Sequence, residues 1–327
     1  MKTRLRDLML FFLLGVFLLI YPFVFTQAFY QHIMIMVFMY GLLAISWDIM
    51  GGYANLFSFG QSAFFGIGAY VSTLLFLHWE ITPWLGMVAG GFASGVVGII
   101  ISYPTARLKG HYFAIATLAF LFVVQIVLEN WKFVGGAQGL TLPLTEQSSF
   151  WKFQFRESKI PYYYIMLFLL GLGFLLAKGT LNSRVGYYLR ALRESQEVAQ
   201  SLGVNTAKYR LMAIALSGFL SALAGTFYAQ YVLYIDPSSV ISLNLSVEVV
   251  LISVFGGCGT IYGPLIGTVI LIPLTNLIRA SLGGAGRGIA YMVFGGIIIL
   301  ICVLQPDGLI KLFERSKKAV RERYDVT

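Results

Sequence analysis

The sequence predicts an all-α fold, a polytopic transmembrane helix bundle of about ten spans (eight to ten), and three observations predict it. Hydrophobic residues make up 58% of the 327 residues and charged residues only 11%. No Asp, Glu, Lys or Arg occurs between Asp7 and Asp48. The basic residues gather in short segments between apolar runs. A soluble domain carries about 25% charged residues, so this chain lacks the side chains to cover a water-facing surface. A bilayer is therefore its expected partner. Ten spans of about 20 residues use the whole chain, 1–327, as one transmembrane domain and leave no sizeable soluble one.

Taken in order, the expected spans are 8–25, 32–50, 56–77, 84–103, 111–129, 161–178, 210–231, 245–257, 264–281 and 288–304. The first follows Lys2, Arg4 and Arg6. Its apolar run exceeds the roughly 7–15 residues of a signal-peptide core, so an uncleaved helix is expected. The eighth is short, and a half-helix or re-entrant element is expected there, which a membrane tolerates where protein or water covers the backbone. The cysteines, Cys258 and Cys302, both lie in apolar stretches and read as packing residues.

Loop charge sets the expected orientation. With both termini cytoplasmic, the inner segments hold Lys2, Arg4 and Arg6; Arg107 and Lys109; Lys178, Arg184, Arg190, Arg193, Lys208 and Arg210; and the basic tail 306–327 with Lys311, Arg315, Lys317, Lys318, Arg321 and Arg323. Only Lys132, Lys152, Arg156, Lys159, Arg279 and Arg287 fall elsewhere, as the positive-inside rule requires. That distribution explains the net charge of +9 without a nucleic-acid partner. The longest external segment, 131–160, carries Trp131, Phe150, Trp151 and Phe153. It reads either as an interfacial aromatic belt or as a platform for an extracytoplasmic partner.

Two glycine-rich runs interrupt the apolar pattern, Gly51–Gln61 and Gly256–Pro264, each opening on Gly-Gly. One reading is close helix crossing. The other is broken helices beside a translocation path, with Asn55, Ser58 and Gln61 facing it and Glu248, Gly256 and Gly257 beside it. An internal repeat is suggested by the paired openings. Asp48 and Glu248 are the acids nearest apolar spans; intramembrane acids are costly, and a boundary position with a structural role is expected for both. The histidines, His32, His78 and His111, are scattered, so no catalytic or metal constellation is apparent and an embedded enzyme is disfavoured.

The most informative polar stretch is the segment 183–209. At about 100° per residue, Tyr188, Leu192, Ser195, Val198, Ala199 and Leu202 fall on one side of a single amphipathic helix. Arg190, Arg193, Glu194, Glu197 and Ser201 fall on the other. Gly203 suits a helix stop, and Asn205 or Thr206 a cap for the next helix. A surface-lying membrane helix is one reading. The acids Glu194 and Glu197 would be repelled by anionic lipid, and they favour a docking element for a protein.

At this point the sequence resembles the permeases of branched-chain amino acid ATP-binding-cassette importers, of the LivM type. Glu197-Val198-Ala199 followed by Gly203 resembles their coupling motif, with Val198 in place of an alanine, and the string Leu189 to Ser195 leading into Ser201 to Asn205 resembles this branch more closely. Further blocks follow in family order over about 40–310: Gly60 to Tyr70, Tyr112 to Ala119, Gly135-Gly136 with Gly139-Leu140, Ser246 to Glu248, Gly256 to Pro264, Gly286 to Gly288, and Pro306 to Leu309. The resemblance implies ATPase coupling through Arg190, Arg193, Glu194, Glu197, Ala199, Leu202 and Gly203. It implies four partners: a second, LivH-like permease, two cytoplasmic ATPases and an extracytoplasmic binding protein. It implies transport of leucine, isoleucine or valine across the inner membrane. Many relatives have Gln at Asn55 and His at Gln61, which keeps urea- or amide-type substrates open; a stand-alone secondary transporter is the remaining alternative. No Gly-x-x-x-x-Gly-Lys-Ser/Thr phosphate loop is present. The chain is therefore expected to be no enzyme and to bind no cofactor, with ATP and magnesium used by the partner ATPases.

Overall fold

The computed structural model describes residues 13, 15–105, 108, 110–144, 148–282, 288, 292, 295–296 and 308–310. Its hub is helix α2, Ala28–Asp48, continued by a π-helical turn over Ile49–Tyr53. Those 26 residues span about 39 Å at 1.5 Å per residue. The helix is apolar on every side and buried on every side from Gln31 onward, apart from partial exposure at three positions, as a central helix must be. Before it lies α1, Gly15–Val24. This short helix is held to α6 (Ile160–Asn182) where the Tyr163 and Tyr164 hydroxyls donate to the carbonyls of Leu18 and Leu19, both at 2.7 Å.

A second layer joins α3 (Gln61–Trp79), α4 (Pro83–Thr105) and α9 (Thr206–Val232). Small residues let these three backbones touch. A Cβ on Gly68 would meet the Ala222 backbone, and one on Gly225 would fall on the Phe65 carbonyl. The Thr226 hydroxyl donates across the same seam to Gly68 O at 3.0 Å. In lipid such packing, and not expulsion from water, holds helices together.

Helix α5 (His111–Asn130) lies at the periphery and exposes Ile115, Phe122, Val123, Ile126 and Val127. The bundle is completed by α10 (Pro237–Val240), α11 (Leu243–Gly256) and α12 (Gly263–Leu282), the last two packed on α2. Among the described residues eight helical segments are long and apolar enough to cross a membrane. The expected start of the first span, the tenth span 288–304, the Arg107 and Lys109 charges, Cys302 and the basic tail lie largely or wholly outside the described residues.

Three boundaries differ from expectation. Helix α3 begins at Gln61 instead of 56, because Asn55 takes a left-handed φ of 53° and the Ser58 side chain turns the chain by accepting from Gly60 N–H at 3.1 Å. The short eighth segment is the second half of a broken one. Asp236 caps α10 with a capping box and Ser242 caps α11 anew, which splits the apolar run at Ile241 and Ser242. The single amphipathic helix of 183–209 is two helices, α7 (Arg184–Glu194) and α8 (Gln196–Ser201), because Ser195 is extended (φ −158°) and caps α8 through Val198 N–H.

At the opposite end of the bundle, the 131–160 segment folds over the helix ends. Strand β1 (Leu140–Thr141) pairs antiparallel with β2 (Tyr234–Ile235). Trp84 Nε1 donates to Phe150 O at 2.9 Å and Thr82 Oγ1 to Trp151 O at 2.6 Å. Phe153 turns inward and is buried, while Trp131, Phe150 and Trp151 stay exposed.

Candidate functional site: a polar helical arm on a glycine-rich junction

The arm formed by α7 and α8 is anchored by few residues. Gly186, Leu189, Leu192 and Ala199 face the bundle and are buried. Arg190, Arg193, Glu194 and Glu197 are exposed. The break at Ser195 splits the continuous wheel: of the residues it puts on one side, Leu192 and Ala199 are buried while Val198 and Leu202 are exposed, Leu202 at 78%. Leu189, outside that set, is fully buried. Gly203 ends α8 at φ +81°. Asn205 caps α9, its Oδ1 accepting from Lys208 N–H at 3.1 Å. Arg190 Nη2 donates to Leu181 O at 2.5 Å, tying α7 to the end of α6.

The two glycine-rich runs, some two hundred residues apart in sequence, meet beneath this arm. Asp48, the last residue of α2, is 2% exposed and accepts from Gly259 N–H at 2.7 Å. The Cys258 thiol is within hydrogen-bonding reach of the same carboxyl, and burial first, then Asp48, pushes that thiol well above its usual range, so it stays protonated. The second run turns on Thr260, whose hydroxyl donates to Gly257 O at 2.7 Å and accepts from Gly263 N–H at 3.1 Å. A Cβ on Gly256 would meet the Gly263 carbonyl, so this run is also a close crossing of α11 and α12. Between arm and junction lies a cleft of about 340 Å³ lined by Tyr53, Tyr187, Arg190, Arg193, Glu194 and Gly259.

The expected path residues are not gathered in one place. Asn55 is exposed. Ser58 is buried in the turn that Trp47 Nε1 holds by donating to Ser58 O at 2.8 Å. Gln61 is fully buried; its Nε2 donates to Ser46 Oγ at 2.6 Å and to Ser221 Oγ, and its Oε1 accepts from Ser217 Oγ at 3.4 Å. Because Ser46 and Ser221 each also donate to a backbone carbonyl, this polar group is satisfied and joins α2, α3 and α9. Gln61→Leu is expected to cost about 1–3 kcal/mol, the penalty for leaving buried partners unsatisfied, read as a lower midpoint of thermal unfolding in detergent. An unchanged midpoint would show that the network adds nothing.

Both acids are buried within the bundle. Asp48 is enclosed in the junction, and Glu248 on α11 is 8% exposed, accepts from Tyr40 Oη at 3.2 Å and faces the Arg279 charge from α12.

These features define a multi-pass α-helical membrane protein that carries a charged, bundle-anchored arm at one end. The chain belongs to the family described as branched-chain amino acid transport system / permease component, whose profile matches residues 29–302. It is 26% identical over 298 residues to the high-affinity branched-chain amino acid transport system permease protein LivM of Salmonella typhimurium, covering 85% of this chain and 69% of that protein. To LivM of Escherichia coli it is 25% identical over 294 residues, 84% of this chain and 68% of that protein. The LivH permease of Escherichia coli is 25% identical over 286 residues, 83% of this chain and 91% of that protein. No solved structure matches the chain.

Proposed function

We propose that this chain is the LivM-type membrane-spanning subunit of an ATP-binding-cassette importer for branched-chain amino acids in the inner membrane. The observation that carries this reading is the arm: exposed Arg190, Arg193, Glu194 and Glu197 on two short helices whose buried faces rest directly on the ends of the spans. The helix directions bring the arm, the end of α4, the start of α5 and residues 308–310 to one end of the bundle, and Arg184, Arg190, Arg193 and Lys208 lie at that end. By the positive-inside rule it is cytoplasmic. Two cytoplasmic ATPases dock there, a LivH-like permease encloses the path with this chain, and a binding protein delivers cargo at the opposite face. ATP-driven closure of the ATPases moves the arms and alternates access; hydrolysis and its magnesium belong to the partners.

The test is reconstitution of the chain with its partner permease, ATPases and binding protein in liposomes. Leucine uptake is expected only with ATP and all subunits present. Uptake by this chain alone down a solute gradient would overturn the reading in favour of a secondary transporter.

A further inference from the structure

The junction beneath the arm connects more elements than folding of any one of them needs. Asp48 ends α2 and faces Gly259 N–H, the Cys258 thiol and the Arg193 charge. Tyr53, at the end of the π turn, faces Asp48, Arg190 and Arg193. A Cβ on Gly52 would strike the Asp48 carboxylate and, at 2.5 Å, the Gly259 nitrogen. Gly259 has φ +77°, and a Cβ there would strike the Arg193 guanidinium and lie 2.9 Å from Gly52 O. On the far side a Cβ on Gly308 would lie 2.5 Å from Gly257 Cα.

We propose that Asp48 is a positioning residue for transport: it fastens the end of α2 to the Gly257–Gly259 turn, and Arg193, seated on Gly259, conveys movement of α7 to both. The proposal rests on the transport reading above. Its physical basis is the shortness of the path between the parts. The Arg193 guanidinium rests on the Gly259 backbone, and the Asp48 carboxyl touches both Gly259 N–H and the Gly52 backbone, so one side chain from α7 and one from α2 meet on a single glycine. Packed protein of this kind moves between discrete arrangements and does not deform smoothly. The element that yields is the π turn Ile49–Tyr53, which contains Gly51 and Gly52 and in which the α-helical ladder is already broken. A push on α7 therefore reaches α2 and the α11–α12 turn together, and α2 is the helix on which α6, α9, α11 and α12 all pack.

The test uses the complete reconstituted importer and reads leucine uptake and ATP hydrolysis separately. Asp48→Asn keeps an oxygen for Gly259 N–H and replaces the carboxyl facing Arg193 with an amide. Arg193→Gln, at an exposed position, breaks the same link from the other side and keeps the fold even if the buried substitution does not. Asp48→Asn is expected to retain co-purifying ATPases and hydrolysis, and each variant to lower leucine moved per ATP about tenfold. The double variant should be no worse than either single one, since both remove one interaction. An unchanged uptake-to-hydrolysis ratio, additive losses, or loss of bound ATPases in Arg193→Gln would overturn the proposal, the last by making Arg193 a docking contact only. Failure of the unmodified importer to take up leucine with ATP would instead overturn the transport reading.

Discussion

Gly225→Leu is expected to leave almost no folded protein in the membrane. A Cβ at this position falls on the Phe65 carbonyl and lies 3.2 Å from Ala69 N, so every obstacle is backbone of α3 and none can rotate away. Helices α3 and α9 must separate, and what they share is lost with them. The Thr226 bond to Gly68 O opens, and the Gln61 network joining α2, α3 and α9 comes apart. Helix α4 also packs on this seam, where a Cβ on Gly90 would sit 3.0 Å from Gly68 O. Overpacking a core typically costs about 1–3 kcal/mol when side chains can adjust; with backbone on both sides the loss should exceed about 4 kcal/mol, the range reserved for disrupted cores. The check is the yield of monodisperse protein from mild detergent. Gly171→Leu on α6, where no atom lies within 4 Å of the added Cβ, serves as the control and should express normally. Wild-type yield from Gly225→Leu would mean that the seam is not closed in the membrane.

The arm should show the reverse pattern, normal yield and lost function. Gly203 sits at φ +81° with open space around its missing Cβ, so only the backbone constrains it. Proline cannot adopt that angle, and it also removes the N–H that donates to Gln200 O at 2.9 Å. The end of α8 must then rearrange and displace the Asn205 cap of α9, while the membrane-buried part of α9 keeps its contacts. Gly203→Pro is expected to abolish uptake, and Gly203→Ala to weaken it less, at a cost of about 1–2 kcal/mol for the left-handed angle. Glu197→Lys reverses an exposed charge in the first turn of α8. The helix itself loses only about 0.3–1 kcal/mol, but the surface offered to an ATPase changes sign, and uptake is again expected to vanish. Both variants should insert and accumulate normally. Vesicle uptake and co-purification of ATPases check this, and normal uptake by the two together would remove the arm's assigned role.

Much of this was legible in the sequence. The charge-free run ending at Asp48 specified α2, and the Asn205 cap and the Gly203 stop bounded the arm. Each is a local property. Whether a segment crosses lipid depends on transfer free energy summed over about 20 consecutive residues, and a cap depends on the next three or four.

Tertiary structure decided which polar groups meet. It buried Gln61 among serines 156 and 160 residues away, left Asn55 exposed, drew Glu248 to Tyr40, and bound Asp48 to a glycine 211 residues further along the chain. In a membrane almost every residue of a span is apolar, so hydrophobic patterning gives little indication of which face turns inward. Helix-to-helix packing and long-range hydrogen bonds make that choice, and no local stretch of sequence contains both partners.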